Sequence, residues 1–264
     1  MQVIYEPRGR AREYSPLALN LYTGFCDHFC TYCYCRTMPP FKFQKDKDFP
    51  IKPREGVLEK LAKDVKVCPK DTQVLLSFTG DPYCHANSVH NLTRQALVML
   101  KDACIKTAIL TKGGRRALAD IDILKEMTRV KVGATMTFLD PERSKQFEPN
   151  AASPEDRIYM LKMLHASEIR TWVSLEPVLD PEQSLAIIDA VSPFVDFFKV
   201  GTTNHVELPK PIDWQDFACD AVKKLMATGR EFYVKADLQK HLPSDIKKNV
   251  IPAKYLDQDY LPSL

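Results

Sequence analysis

The sequence predicts an α/β chain whose parallel strands bend into a partial (β/α)6 barrel, a single domain with a short N-terminal segment and a C-terminal tail. Two observations carry this. Strand-like and helix-like segments alternate along the chain, which requires a parallel sheet with crossover helices. A full eightfold barrel uses about 250 residues for its units alone, whereas these 264 residues must also supply a segment at each end. The N-terminal segment is placed at 1–14, the core at 15–205 and the tail at 206–264. No internal repeat, low-complexity tract or interdomain linker is visible.

The elements follow in order. Leu17 to Tyr22 reads as the first strand and delivers a cysteine-rich loop. A helix is expected over Arg54–Val67, then a β-rich run, Val74–Phe78, ending at Thr79-Gly80-Asp81-Pro82. Val89–Ala103 has helical period, Thr107–Thr111 is the third strand, and Ala117–Met127 is a helix. Lys131–Phe138 is the fourth strand. Ser153-Pro154-Glu155-Asp156 is a strong helix start, with Ser at the cap, Pro in the first turn and acids next; that helix runs to about Ser167. Arg170–Leu175 is the fifth strand, Asp180-Pro181-Glu182 opens a helix through Val191, and Phe197–Gly201 is the sixth strand. Trp214–Ala227 is a helix and Glu231–Val234 a final short strand.

The chemistry starts at Cys26, Cys30 and Cys33, spaced C-x3-C-x2-C. Three thiolates so close can grip one metal centre. On a [4Fe-4S] cluster they leave one iron without a protein ligand, and an open position is what separates catalytic from structural metal sites. The alternative is a zinc knuckle in which Cys35 supplies a fourth thiolate, or His28 an imidazole. Zinc sites usually come as two separated C-x2-4-C pairs, so the spacing favours the cluster.

Ligands of such sheets bind at the C-terminal strand ends, and the informative polar residues fall there. Thr79-Gly80-Asp81 offers a close backbone approach and a carboxylate suited to an ammonium group; it is also an ordinary turn signal. Lys112 suits a ligand carboxylate, or opens a glycine turn. Thr135 and Thr137 share one strand face, as ligand hydroxyls or as β-branched packing. Arg157 pairs either with a ligand carboxylate or with Glu148. Glu176 interrupts an apolar strand just before Pro177, which reads as a site residue. Tyr22, Tyr34 and Tyr83 fall near the expected mouth, where packing is the default role and stacking or radical relay the alternative.

In order, the runs C-x3-C-x-Tyr-C, Ser77-Phe78-Thr79-Gly80-Asp81-Pro82-Tyr83, Thr111-Lys112 and Phe147-Glu148-Pro149 with Arg157 resemble the radical S-adenosylmethionine enzymes. Within them they resemble the spore photoproduct lyase-like, DNA repair photolyase-related branch, over roughly residues 15–205. The resemblance implies an open (β/α)6 barrel and a [4Fe-4S] cluster whose open iron chelates the amino and carboxylate groups of S-adenosylmethionine. It places Tyr32 near the adenine and implies a cofactor-binding set of Tyr32, Tyr34, Thr79, Gly80, Asp81, Lys112, Thr135, Thr137, Arg157 and Glu176. It implies reductive cleavage to a 5′-deoxyadenosyl radical that takes hydrogen from a substrate. Such chemistry needs a reducing partner such as flavodoxin or ferredoxin. Authentic members split a thymine dimer in DNA and return a hydrogen atom from a cysteine before the second strand's end motif. Ser77 and Phe78 stand there in this chain. Cys84, with Tyr83, is the candidate catalytic substitute, set against a default reading of an ordinary buried thiol.

A net charge of +3 says little about partners. Local clusters say more: Arg8, Arg10 and Arg12; Lys42, Lys45 and Lys47; Lys112, Arg115 and Arg116; and Lys235, Lys240, Lys247, Lys248 and Lys254. They suit a nucleic acid or nucleotide substrate, or are solvated charge balanced by acids. A peptide or small metabolite is the alternative substrate, and a metal-containing nucleic-acid-binding module the non-enzymatic alternative. No signal peptide is visible at the start of these residues, and no apolar run reaches membrane-spanning length. Eight irregularly spaced cysteines suit a reducing compartment, so the expected location is cytoplasmic with no membrane partner. Cys68, Cys104 and Cys219 sit in helix-like surroundings as small core residues.

Overall fold

The structure is a computed structural model and describes residues 2–39, 41–43, 49–203, 206 and 211–250. Lys45, Lys47 and Lys254 of the expected basic clusters, and the side chain of Lys248, lie outside the described residues.

The chain opens with a short strand, β1 (Ile4–Tyr5), and a 3-10 turn at Gly9–Glu13. Strand β2 (Leu17–Leu19) follows. The expected first strand then breaks, because Tyr22–Thr23 (β3) leaves the main sheet to pair with Lys52–Pro53 (β4) in a separate ribbon. Helix α1 (Val57–Asp64) leads to β5 (Val74–Leu76). The expected helix at 89–103 is two helices, α2 (His85–His90) and α3 (Leu92–Asp102), because Asn91 adopts a left-handed φ of 52° between them. Then come β6 (Thr107–Thr111), α4 (Ile121–Glu126), β7 (Val130–Thr135), α5 (Pro141–Phe147) and α6 (Pro154–Ala166). Helix α5 was not expected, yet Asp140-Pro141 is a strong start: the Asp140 carboxylate accepts from the Glu142 and Arg143 amides. Strand β8 (Arg170–Leu175), α7 (Pro181–Val191), β9 (Phe197–Val200), α8 (Trp214–Thr228), β10 (Glu231–Val234), α9 (Ala236–Gln239) and α10 (Ser244–Val250) complete the order.

The main sheet has eight strands in the order β1-β2-β5-β6-β7-β8-β9-β10. Strand β1 is antiparallel to β2 and the other pairs are parallel, as expected of a partial barrel. Strand β1 comes from the N-terminal segment and β10 from the tail.

Alternation along each strand makes two faces. Val74, Leu76, Ile109, Val132, Val173, Phe198 and Val200 point out to the helices in one continuous buried core; each such fully buried side chain contributes roughly 1.5–3 kcal/mol. Leu75, Ala108, Trp172, Phe197 and Tyr233 point inward with Tyr14, Phe78 and Leu110 against them. The Trp172 indole lies flat on β7 and donates to the Ile109 carbonyl at 2.9 Å. It fits only because residue 133 is glycine: a Cβ there would meet the indole at 2.5 Å. The N-terminal segment bridges the two ends of the sheet. Tyr233 O–H and the Ala236 amide donate to Glu13, and Arg10 pairs with Asp237 at 2.5 Å. Among the described residues no helix is long and apolar enough to cross a membrane.

Candidate active site

The C-terminal strand ends surround a cavity of about 830 Å³. Cys26, Cys30, Cys33 and Cys35 line it, with Ser77 to Asp81 from the end of β5, Leu110 and Lys112 from β6, Thr135 from β7, Glu176 and Pro177 from β8, and Lys235 after β10.

The cysteine loop is held from several sides. Phe29 adopts a φ of 52° so that the chain doubles back, and its amide reaches the Cys26 carbonyl at 3.2 Å. The Thr31 amide donates to the Phe147 carbonyl at 2.9 Å, and the Asn150 side chain donates to the Asp27 carbonyl at 3.0 Å. The Asp27 carboxylate accepts from the His85 and Ala86 amides at 3.2 and 3.0 Å, tying the loop to the start of α2. The thiols differ. Burial pushes Cys26 well up and Cys30 up to about 11. A hydrogen bond from Cys35, helped by Lys112 and Arg36, draws Cys33 down to about 6 against its own burial. Among the described residues no group of three or more His, Cys, Asp or Glu side chains is gathered as for a single ion.

Behind the loop lies a saturated ion pair. Glu148 and Arg157 are both buried and bonded through Arg157 Nη2 and Glu148 Oε2. The hydroxyls of Tyr32, Thr137 and Ser144 also donate to Glu148. Arg157 donates as well to the Ala152 and Thr135 carbonyls, each at 2.9 Å. The structure therefore takes Arg157 with Glu148 and turns it from the cavity. Thr137 goes with it: its hydroxyl donates to Glu148 at 3.1 Å, and Thr137 does not line the cavity. Tyr32 keeps its place on the cavity wall, with its hydroxyl on Glu148 and the Lys112 ammonium 5.4 Å above its ring.

Asp81 also differs from expectation. Oδ1 accepts from the Tyr83 amide at 2.8 Å and the Thr111 hydroxyl at 2.6 Å; Oδ2 accepts from the Lys112 amide at 2.7 Å and lies 3.6 Å from His28 Nδ1. Its carboxylate thus brackets β5, β6 and the cysteine loop. Tyr83 and Cys84 are a clear correction. Both are buried in the outer core and neither lines the cavity. Helix α2 starts immediately after Cys84 and carries these side chains to the outer face. Tyr22 is likewise in the core, donating to Asn87 at 2.7 Å. Tyr34 does line the cavity, its hydroxyl donating to the Phe78 carbonyl at 2.6 Å.

The chemistry of this wall fits an amino-acid moiety beside a cluster. Thr79 Oγ1 is buried at the cavity wall without a hydrogen-bond partner, and buried hydroxyls are seldom left so. The Lys112 ammonium is partly buried, held above its usual value by Cys30 and Glu148 against its own desolvation. An acceptor and a cation on the wall that carries three cysteines match an ammonium and a carboxylate.

The basic clusters are less of a patch than expected. Arg115 pairs with Asp156, Arg116 bonds the Tyr83 carbonyl and His28, Lys240 pairs with Asp237, and Lys235 turns inward to Glu176. Arg8, Arg10 and Arg36 line the cavity, and Arg8 is exposed. Sequence reasoning missed Tyr14 and the inward role of Lys235, whose partners are distant in the chain.

Comparisons with known proteins agree with this architecture. An uncharacterized protein of Methanocaldococcus jannaschii is 29% identical over 182 residues, covering 68% of this chain and 67% of that protein. One of Mycobacterium tuberculosis is 27% identical over 167 residues, covering 61% of this chain and 49% of its own length. Spore photoproduct lyase complexed with dinucleoside spore photoproduct superposes with a TM-score of 0.68 at 11% identity, over 89% of this chain and 79% of that one. Streptococcus suis SuiB bound to S-adenosylmethionine superposes at 0.62 and 16% identity, over 84% of this chain and 51% of that one. The chain thus spans about half the length of SuiB and of the mycobacterial relative. At these identities the solved structures speak for the fold alone. The Radical SAM superfamily model matches residues 20–191, from just before the cysteine loop to the end of α7. The chain belongs to the radical S-adenosylmethionine superfamily.

Proposed function

We propose that the chain is a radical S-adenosylmethionine enzyme acting on a nucleobase, most plainly one in DNA or another nucleic acid. The observation that carries the reading is one cavity wall bearing Cys26, Cys30 and Cys33 together with the orphaned Thr79 hydroxyl and the Lys112 ammonium. With a [4Fe-4S] cluster and S-adenosylmethionine bound, such a site supplies reductive cleavage of the sulfonium and a 5′-deoxyadenosyl radical for hydrogen abstraction, the protein contributing binding, orientation and exclusion of water.

The three cysteines hold the cluster. Thr79 Oγ1 and the backbone at Gly80 take the methionine ammonium, and Lys112 the carboxylate. Asp81, on the cavity wall, and Arg157, behind it, act as positioning residues. Tyr32, Tyr34 and Thr135 shape the wall. Arg8, exposed on the cavity lining, puts positive charge at the cavity, which suits a phosphate-bearing substrate. A low-potential protein such as flavodoxin or ferredoxin supplies the electron.

The test is 5′-deoxyadenosine formation by anaerobically reconstituted protein with dithionite, comparing no substrate, undamaged DNA and UV-irradiated DNA. Stimulation by either DNA supports the reading. Equal slow turnover in all three removes nucleic acid as the substrate and leaves the radical chemistry. Cys30→Ala should abolish both iron–sulfur content and product; persistence of product would sink the assignment.

A further inference from the structure

Beyond the cysteine wall, the cavity holds a second polar group that the family-matched segment only half contains. Glu176 lies within residues 20–191, but Tyr14 and Lys235, which hold it, lie outside. Tyr14 O–H donates to Glu176 Oε2 at 2.6 Å and Lys235 Nζ to the same oxygen at 2.5 Å. Ser174 supports the phenol from 2.8 Å. Among the described residues no hydrogen bond reaches Oε1, which lies against Gly201. A Cβ at residue 201 would sit 2.9 Å from Glu176 Oε1 and 3.1 Å from Lys235 Cδ. The glycine thus lets the pair recess into the wall and leaves the cavity clear in front of it.

The surroundings select the ligand's shape. Leu75, Leu110, Phe78 and Tyr14 line the same cavity. Tyr14 and Phe78 meet edge to face, with centroids 6.1 Å apart and planes at 81°. Such walls take a flat ring. The pair itself is neutral overall, so it attracts no net charge; it offers a carboxylate acceptor beside ammonium donors. Their complement is a planar edge with an N–H next to a ring nitrogen or carbonyl acceptor. Nucleobases present this on their Watson–Crick edges, the edge read when a base is held out of a stack.

We propose that Glu176 and Lys235 form a substrate subsite that reads the hydrogen-bonding edge of a nucleobase, with Tyr14 as its positioning residue. This rests on the nucleobase reading above and reassigns Glu176 from the cofactor to the substrate.

The probes are short single-stranded oligonucleotides carrying each of the four bases, or an abasic site, at one central position. Binding is read by fluorescence anisotropy on cluster-loaded protein. Wild type should separate its tightest from its weakest base by about 5- to 150-fold, the range of a paired hydrogen-bond contact. Glu176→Gln keeps the shape but changes the acceptor pattern, and should bring that ratio close to 1. Affinity for S-adenosylmethionine and iron content should stay within about twofold. Tyr14→Phe should reduce the ratio less, and serves if Glu176→Gln folds poorly by thermal melting. A wild-type protein that binds all four bases equally overturns the subsite while leaving nucleic acid as substrate. Loss of S-adenosylmethionine affinity in Glu176→Gln with the base ratio intact also overturns it, returning Glu176 to the cofactor. Failure of wild type to bind any oligonucleotide overturns the nucleobase reading itself, and the subsite with it.

Discussion

Two glutamate–cation pairs flank this cavity, one fully buried and one half-buried, and they differ in what is left over. Glu148 meets Arg157 and the hydroxyls of Tyr32, Thr137 and Ser144, so both of its oxygens are engaged. Glu176 meets Tyr14 and Lys235 through one oxygen only, and it lines the cavity. A saturated pair has no capacity for a ligand and acts as architecture. A half-satisfied, part-buried pair on a cavity wall retains capacity for a ligand. Charge alone would not have told them apart; burial and the count of partners do.

The sharpest way to break the comparison is to remove Arg157. Arg157→Met leaves Glu148 charged and enclosed, and breaking a buried pair costs about 3–5 kcal/mol. We expect a large loss of stability in denaturant unfolding, with poor iron retention because Tyr32 hangs on the same carboxylate. Near-normal stability would show that the Glu148 group is not structural.

Next is the charge below the second pair. Lys199 is buried over the rings of Tyr14 and Tyr233 and donates to the Glu13 carbonyl. Burial and the Lys235 ammonium pull it down to about 7, against Glu13 and Glu176. Unfolded, it titrates near the ordinary lysine value of 10.5. Between those values the unfolded chain holds a proton that the folded chain does not, so stability rises with pH across the window, by at most about 1.4 kcal/mol per pH unit. Below about 7 both states are protonated and the full penalty applies. Lys131, buried against Trp172 and Phe197, is shifted the same way. Lys199→Met should therefore be more stable than wild type at pH 7, with a smaller gain toward pH 9.5. A wild-type profile that falls between pH 7 and 9.5 would refute this.

Lys112 tests the cysteine wall. Its ammonium lies over the Tyr32 ring, with no hydrogen bond seen to it among the described residues, so Lys112→Met should fold normally. If it takes the cofactor carboxylate, affinity for S-adenosylmethionine should fall by about 1.5–3 kcal/mol, the worth of a charged hydrogen bond. Unchanged affinity by equilibrium dialysis would move the carboxylate elsewhere. The smallest effect belongs to Cys84. Buried in the outer core and off the cavity, Cys84→Ala should cost about 1 kcal/mol and leave product formation within about twofold. A large loss of turnover with normal folding would restore it as a hydrogen donor.

Much of this was legible in the chain. Alternating strand and helix patterns, with cap signals such as Ser153-Pro154 and Asp180-Pro181, marked the crossover elements because those signals are local. The cysteine loop was legible because its spacing lies within eight residues. The errors came where local pattern and tertiary direction part. Cys84 follows a strand end, yet the immediate start of α2 turns it to the outer core. Asp81 does line the cavity, but its carboxylate also accepts from β6 and the loop before α2, which no local pattern records. Thr137 shares alternation with Thr135, but its hydroxyl is taken by Glu148 and it does not line the cavity.

By itself, the sequence determined the fold class, the order of its units and the cysteine site, since periodicity, caps and short spacings are properties of neighbouring residues. Only the tertiary structure decided which charged groups are spent and which are free. Arg157 finds Glu148 nine residues away, while Glu176 finds Tyr14 across 162 residues and Lys235 across 59. Such pairings depend on how the sheet curls and where the N-terminal segment crosses its open ends, which no local pattern records.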